Sequence, residues 1–235
     1  MRASELLEIT RLPPNHFNDL SKKDIDDEVR YGRVSKNAKP LPSNSGLMYS
    51  IEQKNKAIVI SILDSTTKEV VGYLKAESEN NEKHFPIKNA HSVSMIAVDP
   101  QRRGQGIAKS LYGVYLSILK YPLLAGNSQT SGGRQNWLSL AKIPGVTVKG
   151  YVEMYDRFFD EPSAKKNFDK FVDSIMTMGG EYLGDSLGGR LRYFAFDVEP
   201  GNGELQPAVK KQLQLYGNKF SYYYQLGMYA VWEGK

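Results

Sequence analysis

The sequence predicts an α+β or mixed α/β domain, and three observations carry that prediction. Between Leu47 and Glu77 three runs rich in Ile, Val and Tyr follow one another, separated by polar turns. At Asp99-Pro100 the pattern changes to a glycine-containing turn and then to helical spacing. Beyond it, strand-like and helix-like segments alternate, the order expected when helices cover a sheet.

Taken in order, Ser4 to Ile9 fits a short helix stopped by Pro13-Pro14, and Asn18 to Val29 fits a second. Lys36 to Gly46 carries Pro40, Pro42, Ser43, Asn44 and Gly46 and reads as a loop. Strands follow at Leu47–Gln53, Ala57–Leu63 and Glu69–Glu77, the last two joined by the turn Asp64-Ser65-Thr66-Thr67-Lys68. His91–Val98 is the fourth strand. From Ile107 to Leu119 the apolar residues Ile107, Ala108, Leu111, Val114, Tyr115 and Ile118 mark an amphipathic helix, limited by Pro122. Leu123–Gly126 is a short fifth strand, Ser131–Ala141 a helix and Val146–Met154 another strand. Ser163–Met178 has end signals on both sides, Pro162-Ser163 before it and Gly179-Gly180 after it. A strand at Leu191–Val198, a helix at Leu205–Leu215 and a tyrosine-rich strand at Tyr222–Trp232 complete the chain.

Composition excludes several classes of function. With no cysteine among 235 residues, disulfides, thiolate metal sites and cysteine nucleophiles are absent. His16, His84 and His91 offer no pair at metal-ligand spacing, so no metal is expected. No apolar run approaches the roughly 20 residues of a membrane span. Met1-Arg2-Ala3-Ser4-Glu5 lacks the apolar core of a signal peptide, so a cytoplasmic protein is expected. A net charge of +5 leans towards anionic partners. The phosphates of a nucleotide cofactor satisfy that lean as well as nucleic acid does, and the basic residues are dispersed rather than gathered in one run.

The chemistry is concentrated in Met95-Ile96-Ala97-Val98-Asp99-Pro100-Gln101-Arg102-Arg103-Gly104-Gln105-Gly106-Ile107-Ala108. A strand that runs through a glycine turn directly into a helix bares backbone N–H groups at the helix's positive end, where a diphosphate binds. A Cβ at Gly104 or Gly106 would hold phosphate oxygens off the backbone or forbid the φ required. No Gly-Lys-Ser/Thr follows, so this is no Walker loop, and the Gly-x-Gly-x-x-Gly of a dinucleotide fold is missing. Without a ligand, the same residues would make a tight strand-helix turn.

Arg103-x-x-Gly106-x-Ala108, framed by Val98, Pro100, Gly104 and Ile107, resembles the acyl-coenzyme A signature of the GNAT superfamily of N-acyltransferases. The likeness is specific over about 14 residues and looser from Leu47 to Met154. It implies a central, mostly antiparallel twisted sheet splayed between its fourth and fifth strands, with helices on both faces. It further implies acetyl-CoA or another acyl-CoA as cofactor, held by Ile96, Ala97 and Val98 along its pantetheine arm and by Arg103, Gly104, Gln105, Gly106, Ile107 and Ala108 at its pyrophosphate. Asn127 and Ser131 would line the arm, with Arg134 towards the adenosine phosphates; a plain loop with a helix cap explains this stretch equally well. On this likeness residues 47–199 form the acyltransferase domain, with a helical insertion at about 156–189. Residues 1–46 are an N-terminal extension and 200–235 a C-terminal one packing on the domain. The insertion would shape the acceptor pocket or an oligomer surface.

The reaction implied is attack by a primary amine on the thioester in a ternary complex. The sequence departs from the family at its two usual catalytic positions. Asn136 to Val146 lacks the tyrosine that donates a proton to the thiolate; Ser139 is a substitute, and Tyr112, Tyr151 and Tyr155 are others. No glutamate opens the fourth strand. His91 is a candidate base there, against the plainer reading of an exposed histidine, and Ser92 or Ser94 can hold a water instead. Direct attack without a dedicated base stays open, as does a fold that binds the cofactor and has lost turnover. Tyr222-Tyr223-Tyr224, Tyr229 and Trp232 would suit stacked bases or, more simply, a core strand. The long N-terminal lead and Ser131-Gly132-Gly133-x-x-x-Trp137 look like acyltransferases of tailed bacteriophages.

Overall fold

The computed structural model describes residues 25–27, 37–78, 86–125, 136–137, 139–155, 162–186, 191–198, 206–220 and 223–234. The chain divides into two compact units, each discontinuous in sequence: a larger one of residues 11–78, 89–147 and 230–235, and a smaller one of 1–10, 79–88 and 148–229.

In the larger unit, β1 (Lys39–Leu41), β2 (Asn44–Lys54), β3 (Ala57–Asp64), β4 (Val70–Ser78), β5 (His91–Val98) and β6 (Leu123–Leu124) lie side by side in chain order. Every neighbouring pair is antiparallel except β5–β6, which is parallel. The stretch expected as a loop at 36–46 is instead a hairpin. Leu41 pairs with Asn44 across Pro42-Ser43, and the Asn44 side chain accepts the Gly46 N–H at 2.9 Å. Pro40 fits there because β1 is an edge strand, where a missing N–H breaks no ladder. The fourth and fifth strands of the sequence are therefore β5 and β6.

β3 is buried from Ile58 to Leu63, which explains its unbroken apolar run: helices lie on both of its faces. On one face Ile25, in a helical turn, packs with Val59, Tyr73 and Ala97. The other face belongs to α1 (Ile107–Val114), whose Ile107 and Leu111 meet Gly72, next along β4 from Tyr73 and so on the opposite side. The helix expected to run to Leu119 changes winding at Tyr115: residues Tyr115–Leu119 form a π turn, closed by Lys120 at φ 59°. Gly145, at φ 80°, sits under the Trp232 ring, and the Glu233 N–H donates to its carbonyl at 2.8 Å.

The smaller unit holds most of β7 (Val146–Tyr155), then α2 (Pro162–Thr177), β8 (Glu181–Ser186), β9 (Leu191–Asp197), α3 (Pro207–Phe220) and most of β10 (Tyr223–Trp232). β9 pairs antiparallel with both β7 and β8. Phe168, Phe171 and Ile175 of α2 join Val209 and Leu213 of α3 over Val152, Phe194 and Phe196. The Arg192 guanidinium lies 4.6 Å from the Phe168 ring centre and 3.1 Å from Asp169, tying α2 to β9. β8 was not expected: Gly184, at φ 140°, sits in a bulge that breaks the alternation by which a strand is read.

Candidate functional site

The turn between β5 and α1 is built by short-range bonds. Asp99 takes the Gln101 N–H on its side chain at 2.8 Å, and its own N–H donates to Val71 at 2.9 Å. Arg102 reaches across to Asp64 at 2.8 Å, pinning this turn to the β3–β4 hairpin. Asp64 also accepts the N–H groups of Thr66 and Thr67. Those backbone bonds, Thr67's first, hold its carboxyl below the ordinary 3.8; desolvation opposes them, and Arg102 adds to the lowering. Arg102 is thus a structural tie, whereas Arg103 is exposed.

Gly104 and Gly106 have φ of 79° and 77°, in the left-handed region, and a Cβ at either would meet nothing within 4 Å. Gly106 is the N-cap of α1, with no side chain capping the helix and no acidic residue in its first turn. Its carbonyl accepts the first helical bond, from Ser110 at 2.9 Å. The N–H groups of Ile107, Ala108 and Lys109 precede that bond and have no helical partner. This end of the helix is positive and open to solvent. Its underside is closed: Ile107 is 2 % exposed, and a Cβ on Gly72 would come within 2.6 Å of its Cγ2. Ile107 can therefore serve a ligand only through its backbone.

The sheet is splayed beside this turn. β6 pairs with β5 only at His91↔Leu123 and Ser92↔Leu124, and the His91 N–H donates to Pro122 at 3.0 Å. From Val93 to Val98 the edge of β5 away from β4 has no strand beside it among the described residues. That edge includes Ile96, Ala97 and Val98 and leads directly into the glycine turn. Opposite β4, Val93 pairs with Ala76 and Met95 with Lys75, leaving Ser94 as the extra residue of a bulge.

Each of the candidate catalytic residues has surroundings of its own. His91 is 7 % exposed, not at the surface; its ring lies 5.2 Å from that of Tyr121 and 6.1 Å from that of Tyr115, under the π turn. Its Nδ1 is 3.0 Å from the Asn89 carbonyl, which makes Nδ1 the protonated nitrogen of the neutral ring. Burial lowers its pKa from 6.5, opposed by that hydrogen bond. Ser94 is exposed and its hydroxyl donates to Lys75 at 3.3 Å. The Ser139 hydroxyl donates to Asn136 at 2.6 Å, one turn back along its own helix. Tyr112 is buried, its hydroxyl bonded by Trp137, and burial drives its pKa upward. Tyr115, 0 % exposed, carries a hydroxyl with no hydrogen-bond partner. Tyr151 is buried in the smaller unit, and Tyr155 ends β7 there opposite Leu191. Asn127, Ser131 and Arg134 lie outside the described residues.

Sequence reasoning missed Gly72, Tyr115 and Glu77. A lone glycine inside a strand run is a signal of close backbone approach and was available for Gly72. Tyr115 looked like one more apolar position. Glu77 stands in register opposite Ser92, a neighbour that the sequence does not reveal. Among the described residues no three His, Asp or Glu are grouped to hold a metal, and no helix is long and apolar enough to cross a membrane.

No protein-family model matches the chain, and no curated protein does. Several solved structures are similar to it, among them proteins that carry acetyltransferase or GNAT names. An IAA acetyltransferase from Bacillus cereus ATCC 14579 is 16% identical, covering 61% of this chain and 79% of its own, with a TM-score of 0.29. The ribosomal-protein-S18-alanine N-acetyltransferase from Escherichia coli is 10% identical over 64% and 76%, at 0.25. A tandem GNAT protein of the clavulanic acid biosynthesis pathway is 13% identical over 95% and 74%, at 0.30. Similarity at this level leaves the functional reading to the turn, the helix end and the open strand edge.

Proposed function

We propose that the chain is an acyltransferase of the GNAT type, which binds acetyl-CoA or a related acyl-CoA and passes the acyl group to a primary amine by direct attack in a ternary complex. One observation carries this reading: a helix end without a side-chain cap, bared by two left-handed glycines, continues a strand edge that has no strand beside it among the described residues. The residues fit the group. The N–H groups of Ile107 and Ala108, with Gly104 and Gly106 leaving room on either side of Gln105, suit two linked phosphates. Arg103 adds a positive charge. The main chain of Ile96, Ala97 and Val98 suits an extended, amide-bearing arm that adds to β5 as another strand would.

Bound there, the acyl-CoA supplies a thioester whose carbonyl a neutral amine can attack. N–H groups of the free β5 edge orient and polarise that carbonyl. His91 is neutral near pH 7, with its Nε2 lone pair uncommitted to Asn89, and is the candidate to take the amine's proton through water. Ser94 on the bulge can hold that water. Ser139 has its proton engaged within its own helix, which weakens it as a donor to the departing thiol. Asn127, Ser131 and Tyr155 remain proposals for lining and proton donation. The acceptor is an amine of open class, and the cofactor's phosphates account for the chain's basic balance.

The engaged Ser139 and the enclosed His91 favour a second reading, a module that binds acyl-CoA without turnover. Calorimetric titration with acetyl-CoA, followed by thiol release across a panel of primary amines, separates the two. Saturable binding with amine-dependent release supports the enzyme. Binding without release supports the silent module, and absence of binding removes both.

A further inference from the structure

β5 lies between β4, paired along one of its edges, and the splay towards β6 on the other, and it leads through the glycine turn into α1 and its π turn. Among the described residues of these elements Glu77 is the one carboxylate: β5, β6 and the helix carry no acid, and β4 carries no other. Glu77 stands opposite Ser92, and Ser92 is the last residue of β5 that pairs with β6. It therefore lies one strand, about 4.8 Å, from the row where the splay closes. Its two cross-strand neighbours, Ala57 and Ser92, are small. The carboxylate is half exposed, 48%, and its partner is Lys75 at 2.6 Å, two residues back on the same strand and the same face.

We infer that Glu77 anchors the cationic acceptor: the ammonium form of the amine displaces Lys75 from this carboxylate and is delivered beside the closed end of the splay. The inference rests on the acyl-transfer reading above and specifies what that reading leaves open, the charge of the acceptor and the residue that selects it. A protonated amine brings three donors and a positive charge, and a carboxylate is the group that answers both. The ion pair with Lys75 is a partly solvated surface pair of small net worth, so exchange for an incoming ammonium costs little. Lys75 competes for the same oxygens. Glu77 thus binds and positions; the ammonium must pass one proton, through water, to the base of the proposed function, His91, before its nitrogen attacks, and amines are preferred over alcohols of the same shape.

The test uses the full chain, acetyl-CoA and three primary amines, tyramine, cadaverine and a lysine-containing peptide. Thiol release gives kcat and KM, and titration gives the acetyl-CoA affinity. Glu77→Gln should raise the amine KM about ten-fold, the worth of one charge-assisted hydrogen bond, with acetyl-CoA affinity unchanged. Glu77→Asp should recover part of the loss. Lys75→Ala should act in the opposite direction and lower KM, because it frees the carboxylate; a purely structural ion pair would make both variants worse. An unchanged KM in Glu77→Gln, or a rise in both variants, overturns the assignment. Acetyl-CoA binding without release for any of the amines removes amine transfer and this anchor together, while loss of acetyl-CoA affinity in Glu77→Gln alone would make Glu77 part of the cofactor site instead.

Discussion

Two glycines flank the first turn of α1, and they are glycine for opposite reasons. Gly72, below the turn on β4, has ordinary backbone geometry and no room: Ile107 and the Ala97 carbonyl occupy the place of a side chain. Gly106, at the head of the turn, has unlimited room and a φ of 77° that L-residues avoid. The first holds the helix down on the sheet. The second turns the chain so that the helix's amides face outwards. The contrast separates a requirement of packing from a requirement of access, although in the sequence both positions are the same letter.

The sharpest way to break this contrast is at Gly72. Gly72→Val places new atoms within 2.6 Å of Ile107 Cγ2, and the helix must lift or the core must shift. Overpacking of this kind costs about 3 kcal/mol, and a thermal melt should fall by roughly 6–12 °C. Trimming the partner in Gly72→Ala/Ile107→Ala, which removes the Cγ2 that a Cβ at 72 would meet, should cost less than the sum of the two single changes, since the residues share one contact. A melt unchanged by Gly72→Val would mean that α1 does not press on β4.

Gly106 should respond in the other order, with ligand binding hit harder than stability. A left-handed φ costs an ordinary residue about 1–2 kcal/mol, so Gly106→Ala should melt only a few degrees lower. Its affinity for acetyl-CoA should nevertheless fall at least about ten-fold, as the methyl group holds phosphate off the amides. Gly106→Trp should abolish binding in a chain that still gives a cooperative melt. Undiminished affinity in Gly106→Trp would remove the helix end from the site.

The difference between the glycines also marks how much was legible beforehand. The glycine turn from Val98 to Ala108 was readable as backbone geometry, because consecutive residues encode that geometry. The bounds of β3, β5 and α2 were likewise close to those read from periodicity and end signals. Hairpin β1–β2 was hidden because prolines signal loops, yet an edge strand tolerates them. β8 was hidden by its bulge and by Gly184. Side-chain roles were the least legible. The bond from Ser139 to Asn136, the enclosure of His91 and the register of Glu77 against Ser92 depend on partners distant in sequence or on which way a helix turns.

The far end of α1 offers the mildest test of the same distinction. There the π turn and Tyr121 enclose His91, so this end should titrate as buried where the glycine end is open to solvent. Burial holds the folded pKa below 6.5, and the bond to Asn89 opposes it without reversing it. As pH falls below 6.5 the unfolded chain binds a proton that the native ring resists, so the stability associated with neutral His91 is full above that value and declines towards the folded pKa. Melts recorded from about pH 8 to about pH 5 should therefore show a fall in the wild type that is shallower in His91→Phe. The variant keeps a ring between the tyrosines and loses about 1 kcal/mol with the bond to Asn89. Identical slopes in the two proteins would mean that the imidazole titrates as freely as one in water. The open surface would then extend to this end of the helix, and the contrast drawn from the two glycines would hold only for its first turn.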